Sequence, residues 1–421
     1  MDERAAVRRL LQRVGFGPRP GELERATAAG FTATLSALLD APGPDEAGGA
    51  PPPVLRPLPA GADGGRDAGQ LMRGQIDDLR QWWLARMVAT EHPLVERLTF
   101  FWHGVFATSV HKVRSAALML AQNQTLRRLG GGELRPLVAA MAVDPAMLIW
   151  LDGQRNQRGR PNENLARELM EQFTIGQERY TEGDVKQAAR ALTGWRVDRA
   201  TGTAHFDPQR HDDAALTVLG HTARMDVDEL VGLLVAHPQC RRFLAGRMWR
   251  RFVSDVPPSP QRLDELAAAA GTGRELLRAV LTSPEFRAPE SALVRQPVEW
   301  LAAAHRALGT MPVRPPGGRG GRHDLGQELF APPSVAGWPA GAAWLTTATI
   351  RARMAVAELA VNASELRPIR DVPPGDRVRA AGELLSLDWT PRTAAALDAV
   401  AMQPRTLLTL ALISPENLVS A

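Results

Sequence analysis

Apolar residues in this chain recur at intervals of three and four, and runs that alternate apolar with polar are nearly absent. A period near 3.6 places such residues on one stripe of a helix, whereas a half-buried strand needs a period of two. The sequence therefore predicts an all-α fold: a large multi-helix array with long Pro/Gly-rich loops and at most a small β-hairpin near 195–206. Helical spacing covers 3–13, 21–40, 70–90, 93–109, 111–129, 133–141, 145–151, 163–175 and 182–194. It resumes over 225–253, 260–285, 290–308, 345–362, 374–384, 391–400 and 404–413. In WRVDRATGTAHF, Thr201 and Gly202 stand where a hairpin would turn.

Proline and glycine show where that pattern breaks. They gather in 42–68, with PPP at 51–53 and GADGG at 61–65, and in PVRPPGGRGGRHD at 312–324, which read as surface loops. The chain reads as one helical unit over 1–421. Its subdivisions are N-terminal helices (1–41), a Pro/Gly-rich loop (42–69), a core with most of the polar motifs (70–221) and a C-terminal helical region (222–421). Two similar runs, LLRAVLTSPEF at 276–286 and LLTLALISPEN at 407–417, read as a pair of helices packing together.

Composition removes several classes of function. Cys240 is the single cysteine, so a disulfide framework or a thiolate-rich metal site cannot form within one chain. Of 50 basic residues only Lys112 and Lys186 are lysines, and the arginines are mixed with acids along helices. That is the pattern of solvated faces, not the basic stripe of a nucleic-acid binder, so no nucleic acid is expected as partner. The opening MDERAAVRRLLQRVGF is amphipathic without the apolar centre of an export signal. No run approaches the ~18 apolar residues of a membrane span. A cytoplasmic chain without a membrane partner is the expectation. GxSxG, the P-loop and a strand-GxGxxG-helix unit are missing, and nothing points to a nucleotide, flavin or haem.

Three segments hold residues able to do chemistry. In PLVERLTFFWHGVFATS, Glu96, Phe100 and His103 fall on one helical face, so the acid can orient the imidazole; a histidine packed among Phe101, Trp102 and Phe106 fits equally. In GRPNENLARELMEQFTIG, Asn164, Glu168 and Glu171 share a stripe beside the pair Glu163–Arg167, either a solvated face or the wall of a metal or acid–base site. In HFDPQRHDD at 205–213, His205, Asp207, His211, Asp212 and Asp213 supply two imidazoles and three carboxylates, without matching a specific zinc or calcium motif. Tyr180, the one tyrosine, and Lys186 stand too isolated for a role.

Strings along most of the chain then resemble a known bacterial family. They include ERLTFFWHGVF at 96–106, KVRSAALMLAQNQTLRRLGGG at 112–132, DPAMLIWLDG at 144–153 and NENLARELMEQFTIG at 162–176. YTEGDVKQAARALTGW at 180–195, His211-Asp212, GRMWRRFVSDVPP at 246–258 and FAPPSVAGWPAGAAWL at 330–345 follow in order. The chain resembles the domain of unknown function 1800 family. The resemblance implies a largely helical protein; many members are exported and encoded beside a sulfatase-like partner. The family commonly has FWHxHF on the first of these helices, where this chain has Val105 at the second histidine position.

On this reading the three segments converge on a polar pocket within a helical core. His103, Glu168, Glu171, His211 and Asp212 would bind a divalent metal (Fe, Mn or Zn), with His103, Glu168 and Asp212 as catalytic groups. Glu96 would orient His103, and Asn164 and Arg167 would hold a small-molecule substrate. The function expected is that of a metal-dependent enzyme, oxidative or hydrolytic. Two alternatives stay open: a metal-free acid–base enzyme in which Arg167 and the arginines of the 154–160 loop hold an anionic substrate, and a helical scaffold or partner-binding protein with the same groups in a buried network.

Overall fold

The computed structural model describes residues 1–41, 51–56, 66–199, 201–269, 271–312 and 325–420. The protein is mostly helical, with a few short two-stranded sheets. The loop readings at 42–68 and 312–324 lie largely outside the described residues.

Much of the proline serves helix initiation rather than loops. Pro93, Pro145, Pro238, Pro260, Pro297, Pro391, Pro404 and Pro415 open helices, where a missing N–H costs nothing and the fixed φ suits the first turn. Capping boxes at Thr181/Asp184, Asp226/Glu229 and Thr272/Glu275 set other starts. The boundaries sharpen accordingly. The 21–40 stretch divides at Gly30 into Glu22–Ala29 and Phe31–Leu39, 225–253 divides at His237-Pro238, and 260–285 becomes Pro260–Ala268 and Gly273–Thr282.

The hairpin Trp195–Asp198 with Thr203–Phe206 forms as the sequence suggests, pairing Trp195 with Phe206 and Asp198 with Thr203. A second hairpin, Ala215–Val218 with His221–Arg224, exceeds the expected limit of one. Its strands are four residues each, and only the alternation burying Leu216 and Val218 marked it. A third pairing joins Leu293–Val294 to Val419–Ser420.

Buried apolar side chains form three clusters, and several helices are shared between them, Pro93–Val105 and Pro297–Leu308 among them. Pro93–Val105 gives Leu94, Leu98, Phe101, Trp102 and Val105 to the first cluster and Phe100 to the second. Pro297–Leu308 gives Val298 and Ala302 to the second and Trp300, Ala304 and Ala307 to the third. The two Ser-Pro-Glu runs do not share a core. Leu276, Leu277, Val280 and Leu281 lie in the first cluster, whereas Leu407, Leu408, Ala411 and Leu412 lie in the third. Their likeness reflects a common way of ending a helix, since the residue before proline leaves helical geometry.

Among the described residues no helix is long and apolar enough to cross a membrane.

Candidate functional site

Glu96 and His103 sit on the shared helix and are both about 1% exposed. They are not hydrogen-bonded to each other, which corrects the expectation that Glu96 orients His103. Glu96 instead accepts from Trp83 Nε1 (2.8 Å), Arg86 Nε (2.9 Å) and Arg127 Nε and Nη2 (2.7 and 2.8 Å). Burial opposes its charge, but the bonds and charges of Arg127 and Arg86 outweigh that and hold the carboxyl below its ordinary value.

His103 is packed among rings, though not those adjacent in sequence. Trp83, Trp338 and Phe330 surround it at 5.2, 5.3 and 5.4 Å between centroids. Phe101, Trp102 and Phe106 turn to the first cluster on the other side of the helix. Nε2 of His103 accepts the N–H of Phe330 at 3.1 Å, and Nδ1 has no partner among the described residues. Burial pushes the imidazole down to about 3, so it is neutral at physiological pH. Phe330 occupies the left-handed region at φ 64°, and its carbonyl accepts from Val110 N. His103 thus fastens the FAPPSVAGW loop to the shared helix. Gly337 completes the seam: a Cβ there would fall 2.5 Å from the carbonyl of Gly104. Val105, at the family's second histidine position, is buried in the first cluster.

The helix Glu163–Glu168 continues into a π-helical turn, Leu169–Thr174. The N–H of Ile175 reaches back five residues to the carbonyl of Met170, and Thr174 Oγ1 bonds the carbonyl of Leu169 at 2.6 Å. A π turn holds more residues than an α turn, so Glu171 departs from the stripe that regular spacing assigned to Asn164, Glu168 and Glu171. Glu171 accepts from Tyr180 Oη (2.6 Å), Gln177 (2.7 Å) and Gln172 (3.0 Å), and the bonds from Tyr180 and Gln177 lead in lowering its pKa. Glu168 is half-buried and makes no hydrogen bond or ion pair among the described residues. Burial and the neighbouring Glu171 raise its pKa, against the opposing pull of Arg167. Two adjacent carboxyls are thereby pushed in opposite directions, the condition that separates an acid from a base. Tyr180, passed over in the sequence, is raised to about 12 by burial and by its bond to Glu171.

Asn164 donates to the carbonyl of Leu151 at 3.2 Å. Arg167 forms a two-pronged pair with Glu182, both contacts 2.7 Å, and reaches Glu163 at 3.2 Å.

Most of the 205–213 cluster fastens its own loop. Asp212 holds Arg190 through two bonds of 2.7 and 3.2 Å, which keep its carboxyl low. His211 Nδ1 faces Thr193 (3.1 Å to O), and its ring lies edge-on to Phe206. Asp207 accepts from Gln209 N and pairs with Arg210. His205 stands opposite Arg196 in the first hairpin, and Asp213 is exposed. Among the described residues no three His, Cys, Asp or Glu side chains gather as a metal-holding group. The nominated set of His103, Glu168, Glu171, His211 and Asp212 therefore is not assembled: His103 is enclosed by rings, and Asp212 is committed to Arg190.

The 154–163 segment does form part of a site. With the first hairpin and the loop after it, it borders an open groove of about 870 Å³ lined by Arg155, Arg160, Arg196 and Arg210, together with Asn162 and Glu163. Arg210 is held by Gln157 (2.6 Å) and Asp207, and Arg155 lies 3.9 Å from Asp152. The side chains of Arg160 and Arg196 make no ion pair among the described residues. Glu163, the one acid on the wall, shares Arg167 with Glu182. The groove is cationic, and guanidinium forks suit carboxylate and phosphate oxygens.

A model of one family covers residues 9–419, and its description is a protein of unknown function, DUF1800. The protein belongs to that family. Comparison with curated proteins gives no match, and comparison with solved structures gives none.

Proposed function

We propose that this protein binds an anionic small molecule in the arginine groove and acts on it by metal-free acid–base chemistry, with Glu168 as the proton-carrying group. The observation that carries the reading is the groove: four guanidinium groups line it, two of them without ion pairs among the described residues, against one acid that is itself paired. Glu163 on that wall and Glu168 lie on one helix, five residues or about 7.5 Å apart along its axis. In this reading Arg160 and Arg196 hold the anion. Glu168, its pKa raised by burial and by Glu171, carries the proton, and Glu171, its own pKa lowered by the bonds from Tyr180 and Gln177, sustains that elevation. Asp212 serves instead to fasten the loop after the first hairpin to Arg190, and His103 fastens the 330–338 loop away from the groove.

Thermal-shift screening followed by calorimetric titration tests this, using sugar phosphates, nucleotides and di- and tricarboxylates. The expected result is a ligand whose affinity falls at least tenfold in the double variant Arg160→Gln/Arg196→Gln and is retained in Glu168→Gln, which loses turnover of that ligand. Equal affinity in the arginine double variant would remove the reading.

A further inference from the structure

A second concentration of arginine is buried. Arg13, Arg97 and Arg295 are 2, 3 and 8% exposed, and with the largely buried Arg251 they line a small cavity of about 30 Å³. Glu299 is the one buried carboxylate on that wall, and it is shared: Arg97 and Arg251 (2.5 Å) both bond its Oε1. Asp255, exposed at the mouth beside Arg250 and Gly341, is the other acid there. Five guanidinium charges, Arg250 at the rim among them, thus face two carboxylates, of which Asp255 is also at the rim.

The donors are satisfied unevenly. Every nitrogen of Arg13 bonds a carbonyl or hydroxyl oxygen, among them Val253 O (2.7 Å), Ser291 Oγ (2.8 Å) and Ser420 O (2.6 Å). Those bonds replace water but leave the charge uncompensated. Arg295 gives Nη1 to Asn417 (2.8 Å), while its Nε has no partner among the described residues. Behind it the fully buried Arg353 leaves Nε and Nη1 without a partner there as well. Burial presses Arg251 down to about 9 and Arg295 to about 10. Since guanidinium does not release its proton in proteins, such a group is relieved by a counter-charge rather than by neutralisation.

We propose that this cavity is a binding site for one small inorganic anion of about the size of chloride that neutralises the Arg13–Arg97–Arg251–Arg295 cage. About 30 Å³ is enough for a water-sized occupant. The site is distinct from the arginine groove, and its occupant is structural.

The test uses the full chain dialysed into sodium gluconate, an anion much larger than chloride. Chloride then replaces gluconate at constant ionic strength, read by melting temperature and equilibrium dialysis. The expected result is a saturable rise of several degrees with one anion bound per chain. The groove variant Arg160→Gln/Arg196→Gln should retain that response, whereas Arg295→Gln should bind at least tenfold more weakly. Gln12 also lines the cavity, so Gln12→Glu supplies an internal carboxylate. That variant should melt higher than the parent in gluconate and no longer respond to added anion. The same melting temperature in gluconate and in chloride, without stoichiometric binding, overturns the proposal. So does a Gln12→Glu variant that keeps the full response, a readout that stands even where Arg295→Gln fails to fold.

Discussion

The His103 region and the Glu168 region carry the same kinds of side chain in opposite states. Around His103 every direction is closed by rings, one ring nitrogen holds a loop, and Glu96 nearby is held by two arginines and a tryptophan. Around Glu168 the carboxyl is half-open, makes no bond of its own among the described residues, and sits where the helix changes its pitch. The difference teaches that chemically capable residues divide by whether their bonding capacity is already used. A group that is fully engaged and dry holds structure together. One that is elevated, accessible and free is available to a ligand.

Substitutions can break or sharpen this contrast. The largest effect is expected for Glu96→Ala, which leaves Arg86, Arg127 and Trp83 facing a buried vacancy. Urea unfolding should show a loss of about 3–5 kcal/mol, and a loss below about 1 kcal/mol would remove the distinction. His103→Ala should cost about 2–4 kcal/mol, from the cavity among the rings and the orphaned N–H of Phe330. Limited proteolysis should then find the 330–338 loop released.

A pH series adds a signed expectation for the same histidine. Its folded pKa of about 3 lies below its ordinary value of 6.5, so between those values the unfolded chain binds the proton and the folded one does not. The contribution is complete above pH 6.5 and is lost as pH falls toward 3. His103→Phe should flatten that part of the stability profile, and an unchanged slope would show that other groups set it. Asp212→Asn, which weakens a partly buried bidentate pair, should cost about 1–2 kcal/mol and loosen the 207–213 loop in hydrogen exchange. Smallest is Glu168→Gln, expected within about 0.5 kcal/mol of the parent in the same urea experiment, because no bond is lost.

The helical architecture was readable because period and caps are local properties. Thr181 with Asp184 and Thr272 with Glu275 announce their helix starts within four residues. The site was less readable because its partners come from distant segments. Regular spacing placed Glu96 and His103 on one face, but the partners that decide their roles, Arg127 and the N–H of Phe330, lie 31 and 227 residues away. The 154–160 loop was singled out by composition, whereas Arg196 and Arg210 join it only through the hairpin and the loop that follows. Tyr180 was missed because its bond to Glu171 spans nine residues and a change of pitch that α-helical counting cannot anticipate.

The sharing of Pro93–Val105 and Pro297–Leu308 among the three clusters has a consequence for how the molecule comes apart. No cluster can lose its packing without exposing a face of a helix that a neighbour needs, so partial opening leaves the remainder weakened as well. The fluorescence of Trp102, Trp83 and Trp300, one near or within each cluster, should fade in a single transition. Backbone amides of Pro93–Val105 and Pro297–Leu308 should be among the last to exchange with solvent, and only through complete unfolding.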